Sequence, residues 1–465
     1  MNMEGQVRGG TLEALVERLT VHDQLVDPSY TNTFFLMMHQ FTPSPGQVLR
    51  LLIGRYNLVC PAALTADEAA IWREQKLVPV RLRVYNALKI WLEHHWTVQD
   101  DAILPDLDHF IRTDVAQHQP LLVWRLLDLL ERHQQAATRL MLAPDACALG
   151  ACRSLKRAMV PPSTGARPAP ILPKSMVRLH ITDVDPLELA RQLTLLESHL
   201  FLEISPDELI GQACSPGRGA PAPHVRAMTQ MSNHMTGWIT TSVLSEPDGK
   251  RRALMIRHFI KVGERLLALN NFNSLMAVIS ALNSSTVTRL VKTWNHVATK
   301  HRHAFQVLCH AMQNDKNYAA YRTRLRSTAA PCLPFLGLYL TDLTFTEDGN
   351  PDMRPGGRLI NFDKYLKAGR IIQELQRFQV PYALQPVEAL QAYLLDHLGT
   401  AVTSPQQLYS MSLAIEPRIP SGNENKLRSM AARARLLDTG KMTLLTVEST
   451  AAPLTPLGSM PMDAS

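Results

Sequence analysis

The sequence predicts an all-α protein of two helical domains. Apolar residues recur at helical spacing from Thr11 to about Ala143 and again from Asp185 to Arg418, and no stretch shows the period-two alternation of a half-buried strand. Between these regions the chain runs Pro161-Pro-Ser-Thr-Gly-Ala-Arg-Pro-Ala-Pro-Ile-Leu-Pro173, a composition that favours extended backbone and marks a linker. With 465 residues and 46% apolar content, each region can bury a core of its own.

In the first region Leu12, Leu15, Val16 and Leu19 share one helical face, as do Val84, Ala87, Leu88 and Trp91. Helices this short need one another for stability. In the second region Ile256, Phe259, Ile260 and Leu267 form one stripe, and Phe272, Leu275, Met276, Ile279 and Leu282 form the next. The run Pro331-Cys-Leu-Pro-Phe-Leu-Gly-Leu-Tyr-Leu-Thr-Asp-Leu-Thr-Phe-Thr-Glu-Asp-Gly-Asn-Pro-Asp352 then begins a helix that is apolar almost all round. Gly349-Asn350-Pro351 stops it, and a second helical pattern resumes at Ile360 and runs through Ile371, Ile372, Leu375 and Phe378. The expected product is a helical hairpin, about 335–378, carrying Glu347 and Asp348 near its bend. After Arg418 the chain carries Lys426, Arg428, Arg433 and Arg435 among apolar residues, then a Thr-, Ser-, Pro- and Met-rich end. This reads as a disordered tail, with a short basic amphipathic helix on anionic lipid as the alternative.

The net charge of +7 suits an acidic partner or anionic surface, but Lys and Arg are spread through the chain and read as a solvated surface. The six cysteines show no Cys-x-x-Cys spacing and read as reduced thiols; Cys147 and Cys152 lack a matching His or Cys pair for zinc. Cys332, between two prolines, reads as a small buried residue. His199, His258 and His310 are scattered, and Glu347-Asp348-Gly-Asn-Pro-Asp352 lacks the ligand alternation of a calcium loop. Asn283-Ser-Ser reads as a helix end and cap. No uncharged apolar stretch is long enough to cross a bilayer, so membrane contact would be peripheral. No serine-elbow, kinase or metalloprotease signature is present.

The hairpin string resembles the signature of the Ras-type guanine-nucleotide exchange factors, and Tyr339-Leu-Thr-Asp-Leu-Thr-Phe345 is similar to the fungal type. Asp185-Pro186 with Glu188, Arg191, Gln192, Thr194, Glu197 and Leu200 resembles the opening block of that catalytic domain. Asn270-Asn271-Phe272-Asn273-Ser274, continuing to Thr293-Trp294, resembles its second block, and Ser412 with Glu416-Pro417-Arg418 its end. Gly10-Thr11-Leu12, Phe34-Phe35-Leu36, Arg55-Tyr56-Asn57 and Val80 to Leu92 resemble the Ras exchanger motif domain that precedes it.

The resemblance implies an exchanger motif domain at 8–143, a linker at 144–180, a catalytic domain at 181–420 shaped as an α-helical bowl with a protruding hairpin, and a tail at 421–465. It implies a Ras-family small GTPase as partner, no nucleic acid, no cofactor, no metal and no covalent chemistry. The protein would be cytoplasmic and recruited to the membrane that anchors its GTPase. The hairpin would wedge against the first switch, with Thr341, Asp342, Thr344, Phe345 and Asp348 as its acting residues. Thr344 stands where one branch of the family has an apolar residue aimed at magnesium. Phe335 and Met276 would line a pocket for the second switch, bordered by Asn283, with Asn350 also facing the GTPase. Gln230 stands where some relatives carry an arginine that pairs with an acid. The alternative is a GTPase-binding scaffold of the same fold with little exchange activity.

Overall fold

The structure, a computed structural model, describes residues 7–42, 44–142, 167–175, 179–210 and 222–417. Cys147, Cys152, Cys214, Arg418, most of the Pro-rich linker and the whole tail lie outside the described residues. Among the described residues there are isolated β-bridges but no named strand, and the architecture is all-α in two helical domains.

The N-terminal domain begins with Leu12–Leu19, whose first turn is closed by the Thr11 hydroxyl accepting from the Ala14 N–H. Its predicted face is buried at Leu15, Val16 and Leu19. Pro28–Phe41 follows, with Asp27 as cap and Pro28 in the first turn, where a missing N–H does no harm. The Tyr30 hydroxyl donates to the Leu15 carbonyl at 2.8 Å and ties these two helices together. Pro45–Tyr56, Val78–Ile90, Leu104–Phe110 and Val123–Leu142 complete the layer. Val84, Ala87, Leu88 and Trp91 are all buried, as their spacing predicts. Val78–Ile90 is continuous with Ala66–Trp72 before it through a π-helical turn at Arg73–Leu77 and runs on into another at Trp91–His95, neither of which the apolar pattern announces.

In the C-terminal domain Pro186–Glu203, Pro223–Leu244, Gly249–Ala268 and Phe272–Asn283 pack on one another around a common core. Phe272–Asn283 is the central element, buried on nearly every side, and its Asn271 cap accepts from the Ser274 N–H. Asn283 is the last residue of this helix, as its reading as a helix end requires. Thr299–Ala311 and Asp315–Ser327 lead to the hairpin helices Leu336–Asp348 and Phe362–Gln376, and Glu388–Gly399 and Pro405–Ile415 close the domain.

The final block acts as a clasp. Arg289 donates to the Ser412 carbonyl and hydroxyl and to the Glu416 carbonyl. The Ser412 hydroxyl donates to the Thr286 carbonyl at 2.6 Å, and the Glu416 carboxylate accepts from the Thr293 N–H. Thr293 is therefore a packing anchor. His258 is buried and its imidazole is pushed down to about 4, chiefly by desolvation, whereas His199 and His310 are exposed. No described helix is long and apolar enough to cross a membrane.

Candidate functional site

The hairpin is mounted on a buried polar network. Asn270, in left-handed backbone at φ 57°, accepts from the Leu333 N–H at 3.0 Å, and the Leu333 carbonyl accepts from the Phe272 N–H at 2.8 Å. Asn tolerates that backbone better than most residues. One turn on, the Asn273 side-chain carbonyl accepts from the Leu336 N–H at 3.1 Å and caps the first hairpin helix, while its amide donates to Glu197 at 2.6 Å and to Ser232 at 2.8 Å. The Ser274 hydroxyl also donates to Glu197, and the Phe335 N–H donates to the buried Tyr321 hydroxyl at 2.9 Å. Asn270 and Asn273 of the second block, together with Tyr321, thus satisfy the backbone donors of Leu333, Leu336 and Phe335 at the hairpin base.

Burial pushes the Glu197 carboxyl above its ordinary value, outweighing the hydrogen bonds from Ser274 and Asn273 that hold it down. Because the folded-state value is raised, this group's contribution to stability is complete below the ordinary carboxylate range and is lost as pH rises through the raised value. The melting temperature of the chain is expected to fall over that window, and Glu197→Gln is expected to remove the slope. An unchanged pH profile in the variant would locate the effect elsewhere.

Leu336–Asp348 starts one residue after Phe335, its N-cap, and the second helix ends two residues before Phe378. Arg322 braces the first helix from outside through two hydrogen bonds to Asp342, at 2.7 and 2.8 Å. Asp342 was expected among the acting residues; its carboxylate is committed to that bidentate pair. At the tip Lys364, 3% exposed, reaches back from the second helix to Glu347 at 2.7 Å and Asp352 at 2.6 Å. Burial pulls the Lys364 ammonium down, but the bonds to Asp352 and Glu347 outweigh it and leave it above its ordinary value. A cation therefore already occupies the acidic bend that a calcium loop would need, and among the described residues no group of His, Cys, Asp and Glu could hold a metal.

The turn between the helices is fixed by Arg354 donating from its N–H to the Leu359 carbonyl at 2.8 Å, with Gly356 and Gly357 in left-handed backbone that a side chain would strain. Asn350 donates to the Thr346 carbonyl and accepts from Lys367, closing the end of the first helix.

The N-terminal domain supports the hairpin from behind. Gly10 and Ile360 exchange both backbone hydrogen bonds, at 3.2 and 2.9 Å, and Arg354 donates to the Arg8 carbonyl. Phe362, fully buried, sits 4.9 Å from Tyr30, 6.0 Å from Phe41 and 6.4 Å from Phe34, measured between ring centroids. Gly369 lies against Thr33 so closely that a Cβ would stand 2.8 Å from the threonine side chain.

On the first hairpin helix the exposed residues are Thr344, Phe345 and Asp348, Phe345 by 70%, and Thr344 and Asp348 are one turn apart on one face. The hydroxyls of Thr341 and Thr344 donate to the Gly337 and Leu340 carbonyls, which leaves the Thr344 methyl as the free part of that side chain. Phe335 is half-buried beside Tyr318, while Met276 is 4% exposed and so lies beneath the surface. Asn283 is exposed with its amide at 3.4 Å from the Cys309 sulfur, and Gln230 is exposed on the neighbouring helix. The Cys332 and Cys309 thiols are pushed up by burial to about 12 and about 11, so neither is a ready nucleophile.

The RasGEF domain matches residues 188–366, and the RasGEF N-terminal motif matches residues 6–110. The chain is 33% identical over 428 residues to Cell division control protein 25 of Candida albicans, a match that covers 90% of this chain and 31% of that protein. It is 33% identical over 427 residues to Ras guanine nucleotide exchange factor A of Dictyostelium discoideum, covering 89% of this chain and 66% of that one. The chain belongs to the Ras guanine-nucleotide exchange factor family. Protein son of sevenless of Drosophila melanogaster is 29% identical over 449 residues, 89% of this chain and 27% of that protein. The chain thus spans less than a third of its fungal relative's length. Within the RasGEF match lie both the second-block network and the hairpin tip, and the motif match holds the aromatic residues behind it.

Lys364, Arg322 and Tyr321 were not among the residues singled out in the sequence. Each acts on a partner 12 to 20 residues away whose position depends on hairpin closure.

Proposed function

We propose that this chain is a guanine-nucleotide exchange factor for a Ras-family small GTPase, with the segment 8–143 supporting a catalytic segment 181–420 across the linker 144–180. The observation that carries the reading is a hairpin fixed at its base, back and tip, which leaves Thr344, Phe345 and Asp348 as an outward edge. A rigid wedge of this kind catalyses exchange by binding the open, nucleotide-free GTPase more tightly than the loaded one, which shifts the population toward release. No bond is broken and no base or nucleophile is required. The names of the Dictyostelium discoideum relatives, Ras guanine nucleotide exchange factors, support a Ras-family partner.

In this reading the hairpin displaces the first switch. The Asp348 carboxylate approaches the phosphate and magnesium position and disfavours bound nucleotide by repulsion and competition. The Thr344 methyl and the Phe345 ring supply the apolar part of the edge. Phe335 forms the wall and Met276 the floor of the second-switch contact, Asn283 borders it, and Asn350 lies at the rim. Gln230 offers a neutral hydrogen bond in place of an ion pair, which bears on the choice of GTPase. The protein works in the cytoplasm at the membrane that carries its GTPase.

The deciding experiment is release of a fluorescent guanine nucleotide from Ras, Rap, Ral and Rho-family GTPases with excess unlabelled nucleotide. Acceleration for one member supports exchange and names the partner. Capture of nucleotide-free GTPase without acceleration would instead support the scaffold reading.

Two substitutions separate the roles. Phe335→Ala removes a ring but not the backbone bond to Tyr321, so helical content is expected to hold while capture of nucleotide-free GTPase weakens about 30-fold, the loss of roughly 2 kcal/mol typical of an interface hot spot. Undiminished capture would remove Phe335 from the contact. Asp348→Ala is expected to slow release about tenfold while capture changes less than about threefold; equal losses in both would argue against an electrostatic role.

A further inference from the structure

The positive charge of this chain has a location. Residues 249–311 hold ten Lys or Arg and a single acid, Glu264, a net charge of +9. The whole chain carries +7, so all the rest is net −2. The bases are spread along the sequence as expected, but the acids are not, and it is their scarcity here that makes the surface basic.

Two of the ten are structural. Arg252 is buried and donates to Thr293 and to the Glu246 and Pro247 carbonyls, and Arg289 holds the closing clasp. The other eight are exposed, and none forms an ion pair with a described residue. They lie on two helices that pack side by side, Gly249–Ala268 and Thr299–Ala311, and on the segment between them. Along the first helix Lys250, Leu254, Arg257 and Lys261 recur at spacings of three and four and share its outer face. The His301 imidazole reports the convergence: it is lowered first by burial and then by Lys300, Arg257 and Lys261, with Glu264 opposing. The remaining acids near this face, Glu246, Asp248 and Glu416, lie by the clasp and the helix start.

Three exposed aliphatic side chains are interspersed with the charges: Leu254 at 46%, Val291 at 37% and Val307 at 51%. Phe259, Phe272 and Phe305 of the same segment are buried, and Trp294 is half-buried, stacked on Phe305 at 5.9 Å between ring centroids with its indole N–H donated to the Val287 carbonyl, so there is no exposed stacking platform of the kind that single-stranded nucleic acid uses. Nor is there an exposed aromatic anchor of the sort that dominates protein interfaces. Unpaired cations mixed with exposed aliphatics on a face of adjacent helices match an acidic lipid surface, where charge attracts and short apolar side chains enter the headgroup layer.

We infer that the outer face of Gly249–Ala268 and Thr299–Ala311 is a docking surface for an anionic membrane. It adjoins the proposed GTPase contact, because Thr299–Ala311 runs from Lys300 to Cys309, the partner of Asn283, a helical rise of about 13 Å. Its use in exchange rests on the reading above: it holds the hairpin beside a lipid-anchored GTPase. Lipid binding itself does not depend on that reading.

The test uses the full chain and sedimentation with phosphatidylcholine vesicles, with and without about a quarter phosphatidylserine, on the scale where each surface cation strengthens partitioning roughly fivefold. Preferential binding to the acidic vesicles is expected, falling as salt rises. The variant Arg257→Glu/Lys261→Glu/Lys300→Glu should bind at least tenfold more weakly, and the milder Arg257→Gln/Lys261→Gln/Lys300→Gln should fall between. Both variants should keep the parent's melting temperature and its exchange rate on a soluble, unanchored GTPase, and lose rate only on a vesicle-anchored one. Equal binding to neutral and acidic vesicles, binding to neither, preference for an RNA oligonucleotide, or a charge-reversed variant that sediments like the parent would each overturn the assignment. Acidic-vesicle binding without exchange on any soluble GTPase would instead count against the exchange reading alone.

Discussion

Phe362→Ala is expected to destabilise the chain by about 3–5 kcal/mol and to abolish exchange at temperatures where the variant is still folded. Phe362 opens the second hairpin helix, is fully buried, and is enclosed by Tyr30, Phe34 and Phe41 of the N-terminal domain. Removing the ring leaves a cavity at the joint between domains. Three rings lose their shared neighbour, and the support behind the wedge loosens with them. The neighbouring contact cannot collapse to fill the gap, because Gly369 and Thr33 are already in close approach on the same two helices. Thermal unfolding followed by circular dichroism, paired with nucleotide release well below the midpoint, separates the two effects. Phe362→Leu, which keeps most of the volume, should recover most of the stability. A destabilised variant that exchanges at the parent's rate while folded would show that the joint stabilises the protein without holding the wedge.

Lys364→Met is expected to show the opposite balance, with exchange about 30- to 100-fold slower for a stability loss on the order of 1 kcal/mol. The ammonium is nearly inaccessible, but its carboxylate partners are not: Glu347 is 29% exposed and Asp352 is 63% exposed. Water can therefore resolvate both acids when the lysine is lost, which limits the energetic cost. It cannot keep them together. Glu347 precedes Asp348 directly, so release of Glu347 frees the last turn of the helix that presents the Asp348 carboxylate. Exchange chemistry that relies on placement suffers far more from such freedom than folding does. Lys364→Arg, which retains a cation, should restore part of the rate. A Met variant within about threefold of the parent would remove Lys364 from the positioning machinery.

How much of this was legible differs from residue to residue. The two hairpin helices could be read closely, because Pro331 and Pro334, Gly349-Asn350-Pro351 and the apolar stripes are local signals that need no partner. The outward positions Thr344, Phe345 and Asp348 followed from resemblance and are exposed. Asp342 shows the limit: nothing in its own neighbourhood indicates that Arg322, twenty residues earlier, claims its carboxylate. Met276 shows a second limit, since helical spacing places it on a face without saying how deep that face lies. The joint between Gly10 and Ile360 spans 350 positions and carries no sequence signal at either end. The basic face carries no signal in its cations, which are spread along the whole chain; it comes from the scarcity of acids between 249 and 311.

That long-range joint also sets a schedule for synthesis. Tyr30, Phe34 and Phe41 leave the ribosome more than 300 residues ahead of Phe362 and Tyr365, the rings that cover them. At roughly 5–20 residues per second, the N-terminal domain waits about 15 to 60 s with this aromatic surface bare. A nascent chain stalled anywhere before the hairpin would thus display a ready-made target for chaperones, and the aromatic joint that backs the hairpin is also the late contact that makes the first domain quiet.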